Sequence, residues 1–250
     1  MEYNILTFNT LPSTNDEAKR RAALAAPEGT VILTQNQTNG RGRQDRAWEA
    51  APGECLTFSV ILRPEMPMHA ATPIALVIGL AVCRALSSFV PQAVQVKWPN
   101  DIVAEGRKLC GILCEQIATP GEPRLCVVAG IGINTNQQAF TGALDGKAAS
   151  LHMLTGCAVS NEAVLHAVLL ELAALYPRFT QEGFAAFTTE YNAACANTNR
   201  QVQALHPSGA LHGIARGVNA AGHLLLETDM GMETLHSGEV SVRLADGRYI

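Results

Sequence analysis

The chain has 250 residues, 48% of them apolar and 16% charged. That is length enough for one large folded unit, or a large one with a small companion, and too apolar for a disordered chain. Eighteen Lys and Arg against 22 Asp and Glu leave a net charge of −4. This argues against a protein whose main partner is DNA or an anionic membrane, so any basic site must be local.

The first ten residues lack a basic start followed by an apolar core, so no signal peptide is expected. Residues 11–17 read as a helix start: Thr14 with Glu17 forms a capping box, and the helix is expected to run to about Ala25. Short β-rich runs at 31–34 and 56–62 flank a long segment rich in Gly, Asn, Gln and Arg, and a polar loop of that length is functional or disordered. The greasiest run, 70–83, is broken by Arg84 before the roughly 20 residues needed to span a bilayer, so 73–89 is expected to be a core helix. A strand at 94–98, the turn Pro99-Asn100-Asp101 and a return strand at 102–105 follow, with Arg107-Lys108 starting another turn. Two further strands are expected at 111–117 and 125–133, joined by a turn carrying Pro120, Gly121 and Pro123.

After residue 150 the pattern becomes helical. Val164, Leu165, Val168, Leu169, Leu172 and Leu175 mark an amphipathic helix over 161–175, and 184–196 reads as another. From 201 onward short β segments are punctuated by Gly209, Gly217, Gly222, Gly231 and Gly238, which suits a small barrel of about five strands. The expected division is a larger domain over 1–198 and a small one over 199–250. Seven cysteines, odd in number and without a C-x-x-C pair, give no sign of a disulfide framework or zinc knuckle. They read as reduced, mostly buried thiols of a cytoplasmic protein.

Several segments could carry chemistry. Arg41, Arg43 and Arg46 face only Asp45 in the segment 36–48, and Gly40 and Gly42 allow backbone N–H groups to turn inward as an anion nest. The segment suits a phosphate or carboxylate, or is a solvated surface loop. Trp48 either stacks on a nucleobase or packs the loop onto the body. By strand alternation Lys97 points away from the face of Val96 and Trp98, toward a cleft where its ammonium binds an anion or pairs with Asp101. The bare surface of Gly130 and Gly132, before Asn134, lets a flat ligand lie on the sheet. No P-loop, H-E-x-x-H or G-x-S-x-G occurs, and Asp45 stands where a dinucleotide fingerprint needs its third glycine. No metal-ligand set stands out, and His152 and His166 read as structural.

Taken in order, Ser13-Thr14-Asn15, the Q-x-x-G-R-G-R-x-x-R-x-W pattern at 37–48, Lys97-Trp98-Pro99-Asn100-Asp101, the R-K-L-C-G-I-L run at 107–113 and Gly130-Ile131-Gly132-Ile133-Asn134 resemble the biotin protein ligase family. The stretch 179–183 and the ending 238–243 extend the resemblance over about residues 7 to 245. It implies an α+β fold: a mixed sheet with flanking helices, like the class II aminoacyl-tRNA synthetase catalytic core, followed by a small C-terminal SH3-like β-barrel. It implies that biotin and ATP, with Mg²⁺, give biotinyl-5′-AMP, and that a lysine of the biotin carboxyl carrier protein of acetyl-CoA carboxylase then displaces AMP.

Carried onto matching positions, the resemblance gives Ser13, Thr14, Asn15, Gln37, Gly40, Gly42, Gly111, Gly130 and Gly132 to biotin. It gives Arg46, Trp48, Asn100, Lys108, Asn134 and Arg243 to the nucleotide. Arg41 and Arg43 serve both ligands, and with Lys97, which also holds biotin, they form the catalytic set. Asp45 replaces a glycine common in the family. Some members carry a DNA-binding domain of some sixty residues ahead of the STN box, which here begins at residue 13, so the monofunctional type, without DNA or membrane binding, is expected. A homodimer is compatible with the resemblance.

The residues make physical sense for that activity. A carboxylate attacking a polyanion needs concentrated positive charge and positioning, and biotin's carboxylate, ionised at pH 7, needs no catalytic histidine. A glycine-rich loop that closes over ligand shields a reactive mixed anhydride from water. Two rivals stand beside this reading. A lipoate or octanoate attachment enzyme uses a related core, but a fatty acyl chain offers no ureido group to the polar box. A non-catalytic nucleic-acid-binding module using the arginine loop fits poorly with the net charge.

Overall fold

The computed structural model describes residues 1–48, 51–117, 125–206, 209–237, 241–246 and 248–250. The turn expected around Pro120, Gly121 and Pro123, the side chain of Asp45 and Gly238 lie outside the described residues.

A seven-stranded mixed sheet forms the body, in the order β1 (Asn4–Leu11), β2 (Thr30–Gln37), β3 (Cys55–Leu62), β7 (Cys126–Asn134), β6 (Arg107–Ile117), β5 (Asp101–Ala104) and β4 (Val94–Lys97). Only β1 and β2 are parallel; the other pairs are antiparallel. Alternation along β3 and β7 gives the sheet two different faces. Leu56, Phe58, Val60 and Leu62 of β3, with Val127, Ala129, Ile131 and Ile133 of β7, face the main core. There they meet α3 (Ile74–Leu86) and α5 (Asn161–Glu182), which pack on each other. The intervening Ile61, Cys126 and Val128 pack under Ala18 and Ala22 of α1 (Thr14–Ala23).

On that second face, beyond the N-terminus of α1, the apolar residues give way to Ser59, Thr57, Gly130 and Gly132, where Ser59 pairs with Gly130 and Thr57 with Gly132. The register carries this row across the sheet: Thr57 opposes Gly132, Gly132 opposes Gly111, Gly111 opposes Asp101, and Asp101 opposes Lys97. Directly opposed residues share a face, so five strands present a polar end, a glycine middle and a charged end along one line. This line is the floor of the site.

The remaining helices are α2 (Met68–Ala71), α4 (Leu151–Thr155) and α6 (Thr188–Ala194). A second sheet of five antiparallel strands follows, in the order β11 (Gly231–Leu235), β10 (Leu224–Thr228), β9 (Gly209–Val218), β8 (Gln201–His206) and β12 (Ser241–Leu244). It is keyed to the body by Trp98, whose fully buried indole donates from Nε1 to the carbonyl of Gly222 at 3.0 Å.

Several local expectations change. The first residues form β1, an edge strand whose faces are both largely exposed, which blurs the alternation a half-buried strand would show. The turn before β6 is Glu105-Gly106, both with positive φ, and Arg107 is already in the strand. Helix α5 runs past Pro177 to Glu182, where Gly183 at φ 72 ends it, and the expected helix over 184–196 splits into a 3-10 turn, Phe184–Phe187, and α6. Helix α1 is capped by Ser13, whose hydroxyl accepts from the Asp16 N–H at 3.4 Å, in place of Thr14. Glu17 pairs with Arg20 and Arg21 instead of closing a capping box.

Candidate active site

Freed from capping, Thr14 donates its backbone N–H and its hydroxyl to Gln37 Oε1, at 2.7 and 3.0 Å. The Ser59 hydroxyl lies 2.6 Å from Asn15 Oδ1, to which it donates, and 2.8 Å from Thr14 Oγ1. Asn15 in turn donates to Glu115 Oε2 at 2.7 Å and to the Leu113 carbonyl at 3.2 Å. Glu115 is held by Lys19 at 2.9 Å, and Arg41 pairs with Asp16 and stands 3.8 Å from Glu115. The result is a polar pocket of about 60 Å³ at the start of α1, its neutral groups already bonded to one another. A Cβ on Gly130 would collide with the Asn15 amide, and one on Gly132 with the indole of Trp48, so both glycines are needed for close approach. Trp48 itself lies across Gly111 and Gly132, on the flat floor expected to take a ligand.

The loop that carries Trp48 is a narrow hairpin. Trp48 N–H donates to the Gly40 carbonyl at 2.9 Å and Gly42 N–H to the Arg46 carbonyl at 2.7 Å. This corrects the expectation of an inward-turned nest: Gly42 has φ −110, its N–H is spent within the hairpin, and the positive φ falls on Gln44. Gly40 serves packing, since a Cβ there would strike Trp48 and Gln37.

Beside this pocket, across Arg43 and Trp48, opens a second cavity of about 440 Å³. Lys97, Lys108, Lys147, Arg43, Arg46 and Arg243 line it, with Asp101 as the one carboxylate among its described residues. Arg43 donates to Asn100 Oδ1 at 2.9 Å and to the carbonyl of Ser237, so the loop is tied to the second sheet. Arg46 adds Gln44 at 3.0 Å and Ser241 Oγ at 3.5 Å. Asn100 braces the Ile112 carbonyl, and Asn134 the carbonyls of Lys108 and Ala149.

Lys97 is 3% exposed, and its Nζ stands 3.8 Å from Asp101. Burial pushes its amine down to about 7; Asp101 opposes the shift, while Arg243, Lys108 and Arg43 add to it. Burial raises the Asp101 carboxyl, but Lys108, 2.7 Å away, and Lys97 outweigh it and hold the group at about 2. Positive charge is thus gathered in excess over carboxylate, next to a small polar pocket. Such an arrangement suits an anion that reaches from one compartment into the other.

Comparison with known proteins assigns the chain to a family. Residues 7–134 match the Biotin/lipoate A/B protein ligase family, and residues 198–243 match the Biotin protein ligase C terminal domain. The chain belongs to the biotin protein ligase family. It is 32% identical over 244 residues to the Bifunctional ligase/repressor BirA of Bacillus subtilis, covering 97% of this chain and 75% of that protein. It is also 32% identical over 234 residues to the Biotin--[acetyl-CoA-carboxylase] ligase of Mycobacterium tuberculosis, covering 91% and 85%. Among solved structures, the biotin protein ligase of Aquifex aeolicus in complex with biotin and ATP superposes with a TM-score of 0.86 at 27% identity, over 97% of this chain and 99% of that one.

Within this biotin ligase fold, the residues expected from sequence gather at one place. Ser13, Thr14, Asn15, Gln37, Arg41, Gly111, Gly130 and Gly132 line the polar pocket, and Lys97, Arg46, Asn134 and Arg243 the cationic cavity. Gly42, Arg43, Trp48, Asn100 and Lys108 line both, while Gly40 lines neither. Glu115, Ser59, Asp101 and Tyr249 were not foreseen as site residues. Asp101 could have been found within its motif; Glu115 and Ser59 sit in strands with no local mark, and Tyr249 reaches the site from the far end of the sequence.

Proposed function

We infer that this chain is a biotin–[acetyl-CoA-carboxylase] ligase, and that the two adjoining compartments divide its substrates. What supports the reading most directly is the polar pocket opening beside a cavity lined, among the described residues, by six cations and one carboxylate. The polar pocket takes biotin's ureido and ring system, with Ser13, Thr14, Asn15, Gln37, Arg41 and the Gly111, Gly130 and Gly132 floor around it. Biotin's carboxylate then projects toward Lys97 and Arg43, where it meets the α-phosphate of ATP.

The carboxylate oxygen attacks the α-phosphorus, pyrophosphate leaves, and the mixed anhydride biotinyl-5′-AMP forms. Arg41, Arg43 and Lys97 are its catalytic set: Lys97 and Arg43 offset the charge that builds where the two anions meet, and Arg41 holds the loop against Asp16 over the ligand. Arg46, Trp48, Asn100, Lys108, Asn134 and Arg243 border the nucleotide. In the second step the neutral amine of a carrier lysine attacks the acyl carbonyl and AMP departs. Until then the closed hairpin 40–48 keeps water from the anhydride.

Mg²⁺ would neutralise phosphate charge in the first step. Asp101 is already committed to Lys108, and among the described residues no three His, Cys, Asp or Glu gather as a metal site. The residues therefore fit an ion brought by the nucleotide and held mainly by phosphate and water.

We read the body as a class II synthetase-like core over 1–198 and the five-stranded sheet as an SH3-like barrel over 199–250, supported by the antiparallel sheet and by β8 starting at Gln201. The carrier protein of acetyl-CoA carboxylase is the expected partner, in the cytoplasm, where free thiols like these seven persist. A lipoate or octanoate attachment role is less well supported, because the C-terminal match is to the biotin ligase domain. Mass spectrometry of the chain with MgATP, biotin and a carboxyl carrier domain tests the reading. A biotinyl mass on one carrier lysine is expected; transfer of lipoate or octanoate alone would overturn it.

A further inference from the structure

The segment 248–250, beyond β12, folds back onto the body. Arg248 accepts the Leu244 N–H at 3.1 Å, and the Ile250 carbonyl packs against Gly106, where any Cβ would collide. Between these anchors Tyr249 enters the cationic cavity. Its hydroxyl donates to Asp101 Oδ2, its ring centroid lies 4.0 Å from Lys97 Nζ, and the Arg243 guanidinium lies 4.9 Å from the same ring.

We propose that Tyr249 is a positioning residue of the phosphate side of this site: its ring seats the Lys97 ammonium and the Arg243 guanidinium, while its hydroxyl fixes Asp101. The proposal rests on the reading of Lys97 as the cation where carboxylate and α-phosphate meet.

The geometry around Lys97 calls for such a residue. Its partner Asp101 is 3.8 Å away, beyond the roughly 2.7–2.9 Å of a charge-assisted hydrogen bond, and the same carboxylate is held more closely by Lys108. The ion pair alone therefore leaves the ammonium loosely placed. Among the described residues, the other charged groups that act on it, Arg243, Lys108 and Arg43, are positive. An aromatic face attracts a cation without neutralising it, and attraction of this kind grows when water is excluded. With one cation near 4 Å and another near 5 Å from its centroid, the ring works on both at once. Since Lys97 and Arg243 still line the cavity with Tyr249 in place, the tyrosine holds them toward an incoming anion and does not seal them off.

Burial and the neighbouring cations weaken Lys97's hold on its proton. The ring and Asp101 act the other way, so loss of the ring should deprotonate Lys97 at lower pH. The test uses the full chain with Tyr249→Leu and Tyr249→Phe. Biotin-dependent pyrophosphate release is measured from pH 6 to 9.5, and the Lys97 amine is followed directly by NMR titration of isotopically labelled lysine. Tyr249→Leu is expected to lower kcat on the order of tenfold near pH 8. It should lower kcat less near pH 6, and move both the basic limb of the profile and the Lys97 titration to lower pH. Tyr249→Phe, which keeps the ring, should restore most of both.

A Tyr249→Leu protein with wild-type kcat, limb and Lys97 titration overturns the proposal, even if it melts earlier. A lowered KM for ATP at unchanged kcat also overturns it, marking the tyrosine as a plug that the nucleotide displaces. If the unaltered chain released no pyrophosphate with biotin, the functional reading would fail, while the lysine titration would still decide whether Tyr249 sets the state of Lys97.

Discussion

The two compartments of the site are built on opposite principles. In the polar pocket Thr14, Asn15, Gln37, Ser59 and Glu115 satisfy one another through bonds of 2.6–3.0 Å, and Glu115 is paired with Lys19. In the adjoining cavity six cations stand against one carboxylate among the described residues. The first is a finished network that a neutral ligand enters by fitting its shape and exchanging bonds; the second is unfinished electrostatically, and a polyanion completes it. The contrast separates recognition from chemistry: substitutions in the pocket should alter affinity, and substitutions in the cavity should alter rate.

The largest effect should come from Lys97→Met, which removes the cation at the junction. Adenylate formation should fall on the order of 10²-fold or more, with biotin binding much less affected; near-normal pyrophosphate release from folded protein would dissolve the division. The same variant sharpens the charge side through stability. Lys97 titrates at about 7 in the folded chain against an ordinary value of 10.5, so between those values the unfolded chain holds its proton more tightly and the contribution of Lys97 to stability grows as pH rises, against the opposite pull of the buried cysteines, whose thiols burial pushes up. The thermal midpoint of the wild type relative to that of Lys97→Met should therefore rise between pH 6.5 and 9.5, the cysteines being common to both.

On the pocket side, Gly132→Val should displace the Trp48 indole and weaken biotin binding by about tenfold or more in calorimetry, since forcing bulk into a packed site costs of order 1–3 kcal/mol. The strand should survive, because Gly132 does not need a left-handed backbone. A variant that bound biotin normally but turned over slowly would blur the distinction. Arg43→Gly crosses the boundary: it cuts the hairpin from Asn100 and Ser237, so biotinyl-AMP should escape and label bystander proteins while melting barely changes. The smallest effect is expected from Glu115→Gln, which keeps a partner for Asn15 but drops the charge that holds Lys19 and attracts Arg41. Biotin affinity should fall about threefold, in line with partly exposed pairs worth under about 1 kcal/mol.

The sequence revealed more of the site than of its support. Glycine and arginine at 40–43, the lysine at 97 and the glycines of β7 announce their chemistry by type and spacing, and the register of five strands then aligns them. The glycines' role is not legible in the sequence, because a nest and a tight hairpin draw on the same residues and only backbone bonding separates them. The edge strand β1 escaped notice because no face of it is consistently buried. Ser13 and Thr14 exchanged capping roles because the competitor for Thr14, Gln37, lies 23 residues away. Glu115 and Tyr249 left no trace for a similar reason: their meaning is set by Asn15, 100 residues distant, and by Asp101, 148 residues distant.

Trp48 and Trp98 are the only two tryptophans in the chain. One lies on the glycine floor beside the ligand compartments, and the other is sealed between the body and Gly222 of the second sheet. The molecule thus carries a pair of built-in optical probes at separate places. Replacing either with phenylalanine leaves a single indole emitter, one reporting occupancy of the site and the other reporting separation of the two sheets, so that ligand entry and interdomain opening can be timed independently by stopped flow on the two variants.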